Sequence, residues 1–174
     1  MEILAELNDR ILLGTEGLSD EPPRSTARAI VKTQDGLYAV MYAAKFHLYS
    51  LPGGGIEKDE DTLTALRREI YEETGCTCDL IEELGIVTEN RKSLDYTQIN
   101  HYYIVTVPQV PRENHLTAAE KANRTEVQWH PLMDVVRLIK EQKFDRIQQK
   151  YLQARDVAAL NAYCTTLVTA KGIL

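Results

Sequence analysis

Glu69, Glu72 and Glu73 stand at i, i+3 and i+4 in a stretch with helical periodicity, and Gly75 follows two residues later. At roughly 100° per residue the three acids fall on one face of a helix. Like charges at that spacing repel. A glycine just past the last turn is the usual C′ residue, so the acids also crowd the negative end of the helix dipole. Arg68 precedes Glu72 by four residues, which is the weaker orientation for an ion pair. Such a helix is electrostatically incomplete until positive charge joins it, and a divalent cation with a preference for oxygen is the simplest candidate. The alternative is a solvated acidic face with neighbouring arginines as partners, the common fate of charge runs.

The flanking residues bear on that choice. Leu63, Leu66 and Ile70 form an apolar stripe displaced by roughly 100° from the acids, so one face can pack on a core while the adjacent face looks into a cleft. Upstream, Leu51-Pro52-Gly53-Gly54-Gly55 makes a turn whose backbone can approach a ligand closely.

Taken together, the spacing G-x5-E-x7-R-E-x-x-E-E-x-G resembles the Nudix box in full, on Gly54, Glu60, Arg68, Glu69, Glu72, Glu73 and Gly75, with Ile70 at the aliphatic position after Arg-Glu. Cys76, after the last glycine, is a mild departure. The resemblance implies an α/β fold: a Nudix-like α/β/α sandwich with a mixed β-sheet. It implies that Mg²⁺ or Mn²⁺ is held by Glu69, Glu72, Glu73 and the Gly53 carbonyl. It also implies that Arg68 orients the acids and that Glu60 completes the shell or takes a proton. Hard cations want such oxygens, and they offset the charge that repels a nucleophile from a phosphoanhydride. The expected activity is hydrolysis of a phosphoanhydride in a nucleoside diphosphate linked to another moiety. A nucleoside triphosphate, oxidised bases included, is the favoured substrate. Non-catalytic relatives that sense nucleotides commonly lose box acids, whereas this chain keeps all of them. A nucleotide sugar or an RNA 5′ end is the remaining alternative.

Length and composition set outer limits. The 174 residues suit a single domain, 1–174, with an N-terminal extension over 1–20 and a long C-terminal helix over 144–170. A hydrophobic share of 44% is ordinary for a chain that buries a core, and a net charge of −6 argues against a general nucleic-acid binder. A small nucleotide or other diphosphate is the expected partner. The three cysteines, Cys76, Cys78 and Cys164, make no even disulfide framework, so reduced thiols and a cytoplasmic location are expected. The sequence shows neither a leader pattern nor a long apolar run, so no membrane partner is expected.

Along the chain, 1–20 fits either a helix or a strand hairpin. Strands are expected over 26–33 and 37–43, a helix over 63–74 capped by Asp61 or Thr62, and strands or a bent hairpin over 78–91. Residues 90–98 read as a polar loop, 99–107 as a strand, 112–124 as a charged loop, and 125–130 as a short strand. Pro131 is expected to open a helix at N1, running to about residue 140. Phe144, Ile147, Tyr151, Leu160, Tyr163 and Leu167 mark a partial stripe on the last helix, able to pack on the domain or on a sister chain as a homodimer.

For substrate, Arg28 and Arg91, with Lys92 beside them, are the candidate phosphate-binding cations. Tyr102, Tyr103 and Trp129 are aromatic enough to stack on a base, but core or sheet positions are the favoured reading. Glu120 and Glu126 are candidates for a general base outside the box, against an ordinary surface role. The four histidines show no metal-ligand spacing.

Overall fold

The computed structural model describes residues 1–78, 80–110 and 125–170. Its framework is one mixed sheet built on strand β2 (Arg24–Thr33). Side chains on a strand point alternately to opposite faces, and β2 shows the consequence. Ala27, Ala29 and Val31 pack on one side with Ala65, Leu66 and Ile70, while Ile30 packs on the other with Val135, Tyr151, Leu160 and Tyr163. Two cores result, one on each face of the sheet, and the expected three-layer arrangement is present.

The elements run β1 (Ile3–Asn8), α1 (Asp9–Leu13), β2, β3 (Leu37–Ala43), β4 (Leu48–Ser50), β5 (Gly53–Gly55), α2 (Thr62–Thr74), β6 (Leu80–Arg91), β7 (Tyr96–Val107), β8 (Thr125–Pro131), α3 (Leu132–Lys140) and α4 (Ile147–Ala170). Strand order is β1-β6-β7-β2-β3-β4, with β5 paired to β2 and β8 to β3. The β1–β6 and β2–β7 pairs are parallel, and the others are antiparallel.

Helix α2 starts where Asp61 Oδ1 accepts the Thr64 amide at 2.7 Å and stops at Gly75, whose φ of 74° few other residues adopt. Its buried side is Ala65, Leu66 and Ile70, and Leu63, expected in that stripe, is 40% exposed instead. Burying a leucine or isoleucine contributes roughly 1.5–3 kcal/mol each, which fixes the helix on the sheet.

Three expectations need correction. The segment 90–98 is not a loop: β6 continues to Arg91, a single 3-10 turn covers Lys92–Leu94, and β7 begins at Tyr96. Arg91, Thr97 and Gln98 are buried with polar partners, so polarity did not mean exposure there. The stretch after Cys78 is one strand carrying a register shift between Glu83 and Gly85, rather than two. Pro131 caps α3 instead of occupying its first turn. The opening 1–20 includes both a strand and a short helix, with β1 extending the sheet beside β6. The charged loop 112–124, with Glu120, lies outside the described residues. Among the described residues no helix is long and apolar enough to cross a membrane.

Candidate active site

The chain leaves β4 after Ser50 and pairs with β2 from Gly53, and α2 lies directly against that crossing. The peptide at Gly53 is held on both sides. Its N–H donates to Glu73 Oε2 at 2.5 Å, and its carbonyl accepts from Arg28 Nη1 at 2.8 Å. Glu73 is buried, 9% exposed, so a charge-assisted bond to a backbone amide replaces part of its lost hydration. Gly53 has φ 124°, and a Cβ there would lie 2.6 Å from Arg28 Cα, which excludes any larger residue.

Gly54 is required for a different reason. A Cβ on it would sit 2.5 Å from both Cδ and Oε2 of Glu69, so the glycine leaves a cradle that the carboxylate fills. Burial is the largest influence on Glu69 and raises its pKa above the usual 4.5, while Arg68 pulls the other way. Arg68 Nη1 donates to Glu69 Oε1 at 2.8 Å and lies 3.6 Å from Glu72 Oε2.

The same guanidinium grips Glu60 with both edges, Nε to Oε1 at 2.8 Å and Nη2 to Oε2 at 2.9 Å, and donates to the Gly55 carbonyl at 3.0 Å. Hydrogen bonds from Arg68 and from the Glu57 amide hold the Glu60 pKa down at about 2. Arg68 therefore ties the segment after the glycines to the acidic face, a task that needs the planar fork of arginine.

The structure thus brings Glu60, Arg68, Glu69, Glu72, Glu73 and Gly53 into one neighbourhood. Among the described residues no three His, Cys, Asp or Glu side chains are grouped closely enough to cage a metal ion. The donor chemistry nonetheless fits a hard cation. All the candidate donors are oxygens, Glu69 rests in the cradle at Gly54, and the one guanidinium now bridging the acids occupies the place of positive charge. The Gly53 carbonyl has a second lone pair free of Arg28.

The remaining sequence candidates are divided between the glycine loop and other parts of the fold. Arg28 points its Nη1 at the glycine loop from beneath. Arg91 is buried at 8% exposure, pairs with Glu89, and lies between the rings of Tyr96 and Tyr151, with centroids 4.9 and 4.7 Å away. Tyr102 and Tyr103 are core residues on opposite faces of the sheet, and Trp129 packs beside the α2 core. Glu126 is exposed and accepts from Gln128.

One group near the site escaped sequence reasoning: a buried polar set in which Asn100 contacts Thr26, Gln98, Glu89 and Arg155, and Asp156 accepts from Leu51 and Tyr102. A signal was present. Asp156 shares helical spacing with the buried Ala159, Leu160 and Tyr163, so a charge sits in an otherwise apolar register.

The fold and the acidic helix define a class, and the comparisons agree. The chain belongs to the Nudix hydrolase family: the NUDIX domain model matches residues 22–154. A 39-residue stretch is 51% identical to the RNA pyrophosphohydrolase of Bartonella henselae, and the match spans only 22% of either chain. Among solved structures, a NUDIX hydrolase from Nitrosomonas europaea superposes with a TM-score of 0.60 at 17% identity, covering 83% of this chain and 90% of its own. The NUDIX domain of Shewanella oneidensis NrtR, solved with ADP ribose, gives 0.56 at 22% identity, covering 78% and 88%. At those identities the structural likeness speaks for the fold alone.

Proposed function

We propose that this protein hydrolyses a phosphoanhydride bond in a nucleoside diphosphate linked to another moiety, with a nucleoside triphosphate, oxidised bases included, as the favoured substrate. The single observation that carries the reading is the intact acid set: Glu69 seated over Gly54, Glu73 fixed on the Gly53 amide, and Glu72 on the same face within reach of Arg68.

In this reading Glu69, Glu72, Glu73 and the Gly53 carbonyl hold Mg²⁺ or Mn²⁺. When bound, the cation supplies charge neutralisation for the phosphates and a water of lowered pKa. Arg68 keeps Glu69 and Glu60 in register, and Glu60, held ionised by that guanidinium, completes the shell. Gly53 N–H restricts Glu73 to one orientation, which supports a positioned ligand over a mobile one. Net charge of −6 favours a small nucleotide over a long RNA. The short match to an RNA pyrophosphohydrolase lends support to the anhydride chemistry more than to the substrate.

The test is a panel of nucleoside triphosphates, dinucleoside polyphosphates, ADP-ribose, nucleotide sugars and a 5′-triphosphorylated oligonucleotide, with and without Mg²⁺ or Mn²⁺. Metal-dependent release of a nucleoside monophosphate, lost in Glu73→Gln, is the expected result. Nucleotide binding without turnover on the whole panel would favour a sensing role instead.

A further inference from the structure

The glycine loop draws its backbone partners from three separate elements. Leu51 lies where the chain has left β4 and not yet begun β5, so strand pairing gives its N–H no partner. Both Leu51 and Asp156 are buried, at 1% and 0% exposure, and Asp156 Oδ2 accepts that N–H at 2.8 Å. Next along, the Pro52 carbonyl accepts from the Ala29 amide at 3.0 Å. Gly53 then gives its N–H to Glu73 of α2 and its carbonyl to Arg28 of β2. Three consecutive residues are fixed by α4, β2 and α2 in turn.

Asp156 is itself held. Tyr102 donates its hydroxyl to Oδ1 at 2.5 Å, and Arg155 Nε lies 3.4 Å from the same oxygen. Arg155 also faces Glu89 at 3.8 Å and Asn100 at 3.3 Å. The carboxylate is therefore held in place, and the Leu51 N–H, buried from solvent, loses its partner if Asp156 is removed.

We propose that Asp156, on the C-terminal helix, is a positioning residue for the box: it fixes Leu51 so that Gly53 meets Glu73 in the geometry a cation requires. The proposal rests on the reading of Glu69, Glu72 and Glu73 as a cation and phosphate site. Asp156 touches neither substrate nor metal. It acts through two residues of backbone, where a displacement of about 1 Å costs about a hundredfold in rate.

The test compares Asp156→Ala, Asp156→Asn and Tyr163→Phe. Tyr163→Phe removes a hydrogen bond from the same helix to Tyr38 and leaves the loop untouched. Amide hydrogen exchange at Leu51 and Gly53 is read in metal-free protein, and Mn²⁺ and substrate dependence are read in turnover. In Asp156→Ala, exchange at both amides should rise about tenfold relative to β2–β7 amides. The Mn²⁺ concentration for half-maximal rate should rise and kcat should fall about tenfold or more, with substrate KM within about twofold. Asp156→Asn keeps an acceptor for Leu51 N–H and a donor for the Tyr102 oxygen, so it should restore most of both. Tyr163→Phe should change neither.

Unchanged exchange at Gly53 in folded Asp156→Ala would overturn the proposal, as would equal losses across all strand amides. Should the alanine variant fail to fold, Asp156→Ser is too short to reach Leu51 and carries the same comparison. A wild-type protein inert towards every substrate would sink the function reading, while the exchange data would still decide the role of Asp156.

Discussion

Two adjacent glycines should give opposite outcomes when each is replaced by alanine. At Gly54 the nearest obstacle to the new Cβ is the end of the Glu69 side chain, 2.5 Å from Cδ and Oε2, against an ordinary contact of 3.4 Å. The carboxylate must retreat by about 1 Å, which its flexible chain permits, so stability should change by less than about 1 kcal/mol. That retreat breaks the 2.8 Å bond to Arg68 and empties the cradle. A misplacement of about 1 Å at a catalytic group costs about a hundredfold in rate, or roughly 3 kcal/mol of barrier. At Gly53 the obstacle is backbone: the Cβ would meet Arg28 Cα at 2.6 Å, with φ at 124°. Neither can move without pulling β5 off β2, so Gly53→Ala should cost more than about 3 kcal/mol or fail to fold. Thermal melting together with steady-state hydrolysis of a nucleoside triphosphate in saturating Mg²⁺ separates the two. A Gly54→Ala protein with wild-type kcat would refute the cradle argument. So would a Gly54→Ala melting curve displaced as far as that of Gly53→Ala.

Activity should rise with pH, because burial raises the Glu69 pKa above the usual carboxylate value and only its ionised form binds a cation. The same raised value means the folded protein gains from Glu69 protonation, so ionising it as pH rises costs stability. A pH–rate profile flat from mildly acidic to alkaline conditions would contradict this. Glu60 runs the other way. With its folded pKa at about 2, its tie to Arg68 is present above pH 4.5 and lost as pH falls towards 2, a window visible in acid melts. Arg68→Lys should not rescue Arg68→Ala in kcat/KM, since a lysine cannot bind both oxygens of Glu60 while reaching Glu69 and Gly55. Asp61→Ala should lower stability by about 1 kcal/mol through loss of the α2 N-cap while leaving kcat close to wild type, as read by denaturant unfolding and turnover.

The parts of this site that were legible in the sequence are those whose causes are local. Asp61 and Gly75 mark the ends of α2, and the spacing of Glu69, Glu72 and Glu73 puts them on one face, because capping and helical periodicity act within a few residues. The strand 37–43 and the turn before it were likewise readable. What the sequence concealed depends on partners far along the chain. Residues 90–98 read as a loop because they are polar, yet Asn90 and Thr97 bond the backbone of Ser19 and Glu21 in the segment before β2, and Gln98 donates to the buried Asn100. Polarity reports solvation only when no buried partner is available, and that information is tertiary. Nothing near Arg28 and Arg91 in sequence announces the Gly53 carbonyl or the pair of tyrosine rings that they meet. The bond from Leu51 to Asp156 spans 105 positions, so only the charge in the apolar register of α4 hinted at it.

A titration of Mn²⁺ into the protein, followed by the loss of the free-ion paramagnetic resonance signal, tests the central claim most directly. The wild type should take up at least one ion, and a Glu69→Gln, Glu72→Gln double variant with an unchanged melting temperature should take up none at the same site. Equal uptake by both proteins, or no uptake by the wild type even with a nucleotide present, would contradict the account.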